Sequence, residues 1–162
     1  MDYIIRKLEE TEIHLLKGFL YEAVFQKDEE NLIPRSVIDE PEVKVYIENF
    51  GKPDDICLVA EIENKIVGAV WTRILCGDVK GFGNIDSNTP EFAISLYKEY
   101  RGKGIGTALM KDMLTILKER GYKQTSLAVQ KENYAVKMYE NVGFSIINEN
   151  EEEYLMVCNL QE

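Results

Sequence analysis

The sequence is poor in several residue types, and each shortage excludes a class of protein. It has one histidine, and its three cysteines are odd in number and far apart, so neither a Cys/His metal site nor a disulfide framework is expected. No apolar run approaches the roughly 20 residues needed to cross a bilayer. The first residues lack the basic-then-apolar plan of a signal peptide. We therefore expect a cytoplasmic protein without membrane contact and without a metal.

Positive charge is also scarce. The formal net charge is −10, from 29 acidic and 19 basic side chains. Such a surface repels polyanions, so no nucleic-acid partner is expected, whereas a cationic molecule would be attracted. An excess of one sign also serves solubility alone, so the charge does not by itself select a ligand.

The length of 162 residues predicts a single domain spanning 1–162 around one core. Apolar residues recur with helical spacing in some segments and alternate in others. The predicted strands are 2–8, 56–62, 66–75, 91–97, 125–129, 144–147 and 154–160, and the predicted helices are 9–26, 41–50, 104–121 and 134–142. This mixed order indicates a mixed sheet with helices packed on it.

The most informative stretch, residues 94–107, leads from a strand through a glycine-rich turn directly into a helix. The first N–H groups of a helix lack partners inside it, and the helix dipole adds partial positive charge there. Gly102, Gly104 and Gly106 let the backbone approach an anion closely, and Arg101 and Lys103 add charge. The stretch therefore predicts a phosphate-binding loop.

Other glycine motifs fit this loop less well. A dinucleotide site requires GxGxxG, but counting from Gly102 or from Gly104 the last glycine is missing. The P-loop pattern, GxxxxGK followed by Ser or Thr, is absent as well. A dinucleotide-binding enzyme stays an alternative motivated by the glycines alone, and a glycine turn without any ligand is a further one.

The spacing Arg-x-x-Gly-x-Gly at Arg101, Gly104 and Gly106 resembles the pyrophosphate-binding signature of the GCN5-related N-acetyltransferase family. About thirty residues further on, residues 133–144 resemble the second signature of that family, Asn-x-x-Ala-x-x-x-Tyr-x-x-x-Gly-Phe. Tyr139 occupies the tyrosine of this signature. Two signatures within the right order of elements make the resemblance specific.

The resemblance implies an α/β (α+β) fold with a mixed, mostly antiparallel central sheet flanked by helices on both faces. It implies acetyl-CoA as the cofactor and transfer of the acetyl group to a primary amine by direct attack in a ternary complex. The acceptor would be a small-molecule or peptide amine, and a homodimer is compatible with the family. The alternative is a non-catalytic module of the same fold that binds or senses acyl-CoA.

Site residues follow from the same resemblance. The pantetheine arm would lie between strands 91–97 and 125–129, with the Leu96 N–H stabilising the oxyanion. Tyr139 would act as the general acid that protonates the CoA thiolate. The implied cofactor-binding set is Ile94, Leu96, Arg101, Gly102, Lys103, Gly104, Ile105, Gly106, Thr107, Asn133 and Tyr139. Asn133 is equally well explained as a helix N-cap.

The sequence offers more than one candidate for the catalytic base. Family members often use a carboxylate on the strand before the loop, directly or through water, and Glu91 is the nearest candidate. Glu22 on the first helix is a second candidate, and either residue could instead be an ordinary solvated carboxylate. A one-residue shift in strand register would turn Glu91 away from the site.

The acceptor pocket is the least readable part of the sequence. Tyr46, Trp71 and Phe82 could line it or could equally belong to the core. We expect specificity to reside in the loops at 27–55 and 76–90.

Overall fold

A computed structural model describes residues 2–161 of the chain. These residues form seven strands and four α-helices. The strands are β1 Ile4–Lys7, β2 Ile56–Ile62, β3 Lys65–Arg73, β4 Glu91–Leu96, β5 Gln124–Gln130, β6 Phe144–Glu149 and β7 Glu153–Asn159. The helices are α1 Leu16–Ala23, α2 Pro41–Lys44, α3 Ile105–Glu119 and α4 Ala135–Asn141. Short 3₁₀ segments lie at Glu10–Leu15, Arg35–Asp39 and Lys98–Tyr100.

The strands form one sheet in the order β1-β2-β3-β4-β5-β7-β6. Within residues 2–161, neighbouring strands run antiparallel except for β4 and β5, which run parallel. This pair joins the end of the β1–β4 meander to the β5–β7–β6 unit. The predicted mixed, mostly antiparallel sheet is confirmed.

Helices cover both faces of the sheet, as predicted. On one face, α3 packs through Leu109, Met110 and Met113 onto buried side chains of β2, β3, β5 and β7, and Tyr139 of α4 joins the same cluster. On the other face, α1 packs through Phe19 around Trp71 in a second cluster.

The predicted element order is confirmed, with boundaries shifted by a few residues and two helices shortened. The expected helix 9–26 begins as the 3₁₀ segment Glu10–Leu15, which is closed by reciprocal hydrogen bonds of a capping box between Glu9 and Glu12. The expected helix 41–50 stops at Lys44. Beyond Lys44 the N–H groups of Tyr46 and Ile47 bond to carbonyls three residues back instead of four, and turns continue to Asn49, which takes a positive φ of 54°. None of the helices within residues 2–161 is long and apolar enough to cross a membrane.

Candidate active site

The sheet is split between β4 and β5. Within residues 2–161 these two parallel strands pair at one position, Glu91 with Ser126. The last contacts at its closed end are the Ser126 N–H and the Thr125 hydroxyl, which donate to the Pro90 carbonyl at 3.0 and 2.7 Å. Beyond Glu91 the two strands diverge.

The peptide groups of β4 alternate between β3 and this gap. Tyr97 N–H donates to the Val67 carbonyl of β3 at 3.0 Å. Residues one position away along an extended strand point their peptide groups the opposite way. The alternation therefore directs the peptide groups of Ile94 and Leu96 toward β5, into the gap. The Leu96 carbonyl already accepts a hydrogen bond from Arg101 Nε at 2.9 Å.

A cavity of about 430 Å³ passes through the gap. Its walls come from both faces of the sheet and include Ile94 of β4, Leu127 and Val129 of β5, and Tyr139 of α4. The remaining lining comes from α1 and its end, segment 33–46, further residues of β4 and β5, the β5–α4 connection, the β3–β4 and β6–β7 connections and the start of β7. These residues are Leu20, Ala23, Val24, Phe25, Ile33, Val37, Val43, Tyr46, Phe82, Glu91, Phe92, Ala93, Ala128, Gln130, Asn133, Glu152 and Glu153.

The glycine loop lies at the open end of β4 and leads into α3. Gly102 and Gly104 both adopt positive φ angles, 74° and 86°, which β-carbon-bearing residues rarely take. Gly106 lies in the first turn of α3, where a Cβ would come within 3.3 Å of the Leu96 side chain. The exposed loop thus presents the unpaired first-turn N–H groups of α3 beside the end of β4.

Glu91 lies at the closed end of the gap, on the α1 face of the sheet. It is 2% exposed. Its Oε2 accepts hydrogen bonds from the Tyr46 hydroxyl and from the Gly83 N–H, the latter at 3.0 Å. Its Oε1 is buried and has no hydrogen-bond partner within residues 2–161. Burial is the main cause that raises the pKa of Glu91 to about 7, against the lowering effect of these two hydrogen bonds.

Two glycines make room for this carboxylate. A Cβ at position 81 would overlap Glu91 Oε1, and one at Gly83 would lie 2.8 Å from the Leu127 carbonyl carbon and 3.1 Å from Glu91 Cδ. The β3–β4 connection can therefore close over Glu91 because Gly81 and Gly83 lack side chains.

Tyr46 connects the loop to Glu91. Its hydroxyl donates to Glu91 and accepts the Phe82 N–H at 2.9 Å, and its ring stacks with the Phe82 ring at 6.4 Å. Its carbonyl accepts a hydrogen bond from Trp71 Nε1 at 3.0 Å. Burial raises the pKa of Tyr46 well above its usual value, so the phenol stays protonated as a donor to Glu91.

Arg73 holds the segment that carries Tyr46. Its Nη1 donates to the carbonyls of Val45 and Glu48 at 2.9 and 2.8 Å. Its Nε and Nη2 bind both oxygens of Asp55 at 3.0 Å each. Arg73 and Asp55 are buried, with side chains 4% and 3% exposed. The ion pair thus fixes the turns after α2 against the end of β3.

Tyr139 lies across the cavity on α4. It is 9% exposed and packs edge-on against Phe144, with ring centroids 6.1 Å apart. Burial raises the pKa of Tyr139 to about 12. The phenol is therefore protonated throughout the neutral range.

Asn133 also lines the cavity, and its side chain has a structural role. Its Oδ1 accepts the Ala135 N–H at 2.9 Å, which satisfies a free donor at the start of α4. Asn133 stands two residues before Ala135, one fewer than the family signature has, so its cofactor contact stays a prediction.

Glu22 does not line the cavity. Its carboxylate lies 3.8 Å from Arg101 of the glycine loop. The geometry therefore favours Glu91 over Glu22 as the base candidate, because Glu91 lines the cavity and Glu22 does not.

Several residues around Glu91 were not singled out from the sequence. Gly81 and Gly83 flank Phe82 within a loop, and Arg73 stands as a lone charge at the end of an apolar strand. These two irregularities are the signals that could have identified them. Trp71 proves to be a core residue with no exposed surface, whereas Phe82 is 55% exposed at the cavity.

Comparison with known proteins identifies the family. Residues 21–144 match the model of the acetyltransferase (GNAT) family. Mycothiol acetyltransferase of Corynebacterium aurimucosum is 33% identical over 86 residues, which cover 52% of this chain and 26% of that protein. An N-alpha-acetyltransferase of Sulfurisphaera tokodaii is 26% identical over 126 residues, covering 71% of this chain and 75% of that protein.

A solved structure shares the fold over nearly the whole chain. The PaiA N-acetyltransferase of Thermoplasma acidophilum, crystallised with coenzyme A, superposes with a TM-score of 0.69 at 20% identity, covering 98% of this chain and 99% of that one. The chain belongs to the acetyltransferase (GNAT) family. The family recognition, the fold class and the enzyme class predicted from the sequence are confirmed.

Proposed function

We propose that this protein, acting as one domain, transfers the acetyl group of acetyl-CoA to a primary amine within a ternary complex. The observation that carries the proposal is the split between β4 and β5, with buried Glu91 at its closed end and a glycine loop at its open end. Acetyl-CoA supplies an activated thioester, whose acyl carbon an amine can attack. Relatives named as acetyltransferases support this reaction class.

The chain would hold the cofactor largely through its backbone. The N–H groups of Gly102, Gly104, Gly106 and neighbouring residues would bind the pyrophosphate, with Lys103 adding positive charge. Gly102 and Gly104 take positive φ and have open space where a side chain would stand. The peptide groups of β4 facing the gap would pair with the pantetheine arm. Leu96 offers its N–H there, because its carbonyl is already bound by Arg101.

The same β4 edge would stabilise charge at the reacting carbon. When the amine nitrogen bonds to the thioester carbon, negative charge develops on the carbonyl oxygen. The Leu96 N–H, fixed in the strand and directed into the gap, would donate to that oxygen. Fixed donors of this kind lower the barrier because they need no reorientation during the reaction.

Glu91 would accept the proton that the amine loses. Its pKa of about 7 leaves a substantial fraction ionised at neutral pH and makes it a stronger base than a solvated carboxylate. Its carboxylate lies beneath Gly81 and the Tyr46 hydroxyl, so the proton would reach it through an intervening water molecule. Tyr46 would act as a positioning residue that fixes the carboxylate orientation.

Tyr139 would protonate the departing thiolate. Breaking the C–S bond leaves charge on the CoA sulfur, and a phenol that stays protonated at neutral pH can donate to it. Tyr139 belongs to the apolar cluster beneath α3, whereas Glu91 lies on the α1 face of the sheet, so the acid and the base would act from opposite faces.

Two measurements test the proposal. In a thermal melt, acetyl-CoA at 100 times its Kd is expected to raise the melting temperature by a few degrees, because it would add about 2.7 kcal/mol to the stability, while NAD changes nothing. Release of free thiol from acetyl-CoA is then followed with a panel of primary amines. A melt shift with no thiol release from any amine would identify a non-catalytic acyl-CoA-binding module instead. A shift with NAD alone would indicate a dinucleotide-binding protein.

A further inference from the structure

The cavity wall on the α1 face of the sheet is apolar. Six side chains from three separate segments form it, and they come from the end of α1, the segment that leads into and includes α2, and the β3–β4 connection. They are Val24, Phe25, Ile33, Val37, Val43 and Phe82. All six line the cavity that Glu91 also lines. Val43 belongs to the apolar cluster on the α1 face, and Phe82 stacks on Tyr46, whose hydroxyl donates to Glu91.

Charge around this part of the cavity has one sign. The charged residues lining it are Glu91, Glu152 and Glu153, and no lysine or arginine lines it in the part of the chain that the structure describes. Glu153 is held toward β5 by a hydrogen bond from Gln130 Nε2 at 3.4 Å. Glu91 contributes a buried carboxylate whose Oε1 has no hydrogen-bond partner within residues 2–161.

We propose that the acceptor is a primary amine whose carbon skeleton next to the nitrogen is apolar and carries no carboxylate. The inference rests on the acetyl transfer proposed above and specifies its substrate. The amine would enter as a cation attracted by the three carboxylates, and its apolar group would lie against the wall containing Val37 and Phe82. Free alkylamines and the first residue of a peptide with an apolar side chain share this chemistry.

Two other amine classes fit the site poorly. A polyamine or an amino sugar would place polar groups against side chains such as Val37 and Phe82, which offer no hydrogen bond to replace the lost hydration. A free amino acid would bring its carboxylate close to Glu91, Glu152 and Glu153, where like charges repel. The cavity is therefore expected to favour amines that have an apolar group next to the nitrogen and that lack a carboxylate.

A series of acceptors tests the proposal with the wild-type protein and saturating acetyl-CoA. From ethylamine to pentylamine, kcat/KM is expected to rise about fourfold for each added methylene that the wall buries. Leucinamide is expected to exceed leucine by at least tenfold. Spermidine and glucosamine are expected to fall below pentylamine. Comparing leucinamide with a leucine-initiated tripeptide amide separates a small-molecule acceptor from a peptide acceptor.

A pair of variants ties the preference to the wall. In Val37→Ser, the pentylamine-to-ethylamine ratio of kcat/KM is expected to fall about tenfold, because an apolar contact is replaced by a hydroxyl. Leu32→Ser is the matched control, since Leu32 lies in the same connection, is 57% exposed and does not line the cavity. Its ratio is expected to equal that of the wild type.

The outcomes separate this inference from acetyl transfer itself. Equal kcat/KM along the alkylamine series, or preference for spermidine, glucosamine or leucine, would overturn the acceptor class and leave acetyl transfer supported. An unchanged ratio in Val37→Ser would also overturn it. If no amine releases thiol although acetyl-CoA shifts the thermal melt, acetyl transfer fails and the acceptor class fails with it.

Discussion

The Glu91→Gln variant is expected to gain stability relative to the wild type as the pH rises. Burial raises the pKa of Glu91 from 4.5 to about 7 in the folded state. Folding therefore favours the protonated carboxyl over the carboxylate. The stability of the wild type contains the full contribution of the protonated group below pH 4.5 and loses it as the pH rises through 7 and Glu91 ionises. Glutamine has nearly the same shape and cannot ionise, so this loss disappears in the variant.

The size of the effect follows from the shift. At 1.36 kcal/mol per pKa unit, the gain of the variant relative to wild type is expected to grow by about 2 kcal/mol between pH 5.5 and pH 8.5. For a domain of this length that corresponds to a relative rise of about 5 °C in melting temperature. Urea unfolding at both pH values gives the free energies directly.

Comparing two pH values removes the constant costs of the substitution. The glutamine NH₂ would stand where Oε1 lacks a partner, and this cost is similar at both pH values. Glu151→Gln on the exposed β6–β7 turn controls for the loss of one negative charge. If Glu91→Gln and Glu151→Gln changed stability by the same pH-dependent amount, Glu91 would not be held as a buried, shifted carboxylate.

Four further predictions concern the same site. Tyr46→Phe removes a hydrogen bond that lowers the pKa of Glu91, so the rising limb of the kcat/KM pH profile is expected to move above pH 7; an unmoved limb would refute the contact. Gly104→Glu is expected to bind acetyl-CoA at least tenfold more weakly than Gly104→Ala by calorimetry, because both strain the positive φ but only the first adds an anion. Tyr139→Phe is expected to lower kcat about 100-fold with little change in the KM for acetyl-CoA, and an unchanged kcat would exclude the acid role. Arg73→Met is expected to cost about 3 to 5 kcal/mol in urea unfolding by leaving the carboxylate of Asp55 unpaired, and a cost below 1 kcal/mol would contradict this.

The glycine loop and its helix were predictable because their signal is local. A strand, a run of glycines and an amphipathic helix follow one another between residues 91 and 121, and each is recognisable from neighbouring residues. The position of Glu91 was also predictable as a candidate, since the strand and the loop bracket it. Its orientation was not, because a side chain's face depends on the register with β3.

The surroundings of Glu91 come from residues distant in sequence. Tyr46 lies 45 positions before Glu91 in the sequence. The sequence pattern places it on the apolar face of a helix, but α2 ends before it. The turn that carries it is bound by Arg73, about 25 residues further on, through the carbonyls of Val45 and Glu48. A contact between three such segments is set by tertiary packing and leaves no periodic trace in the sequence.

The split also divides the sheet into two mechanical units. Strands β1–β4 are hydrogen-bonded into one unit and β5–β7 into the other, and the two units are paired at Glu91 and Ser126. The apolar cluster beneath α3 includes residues of both units, so side-chain packing connects them where backbone hydrogen bonds do not. A pantetheine arm paired with β4 would fill the gap between the two units as an additional strand would. The amide hydrogens of Ile94 and Leu96 would then exchange slowly only while the arm is bound, so their exchange rates would report the occupancy of the site.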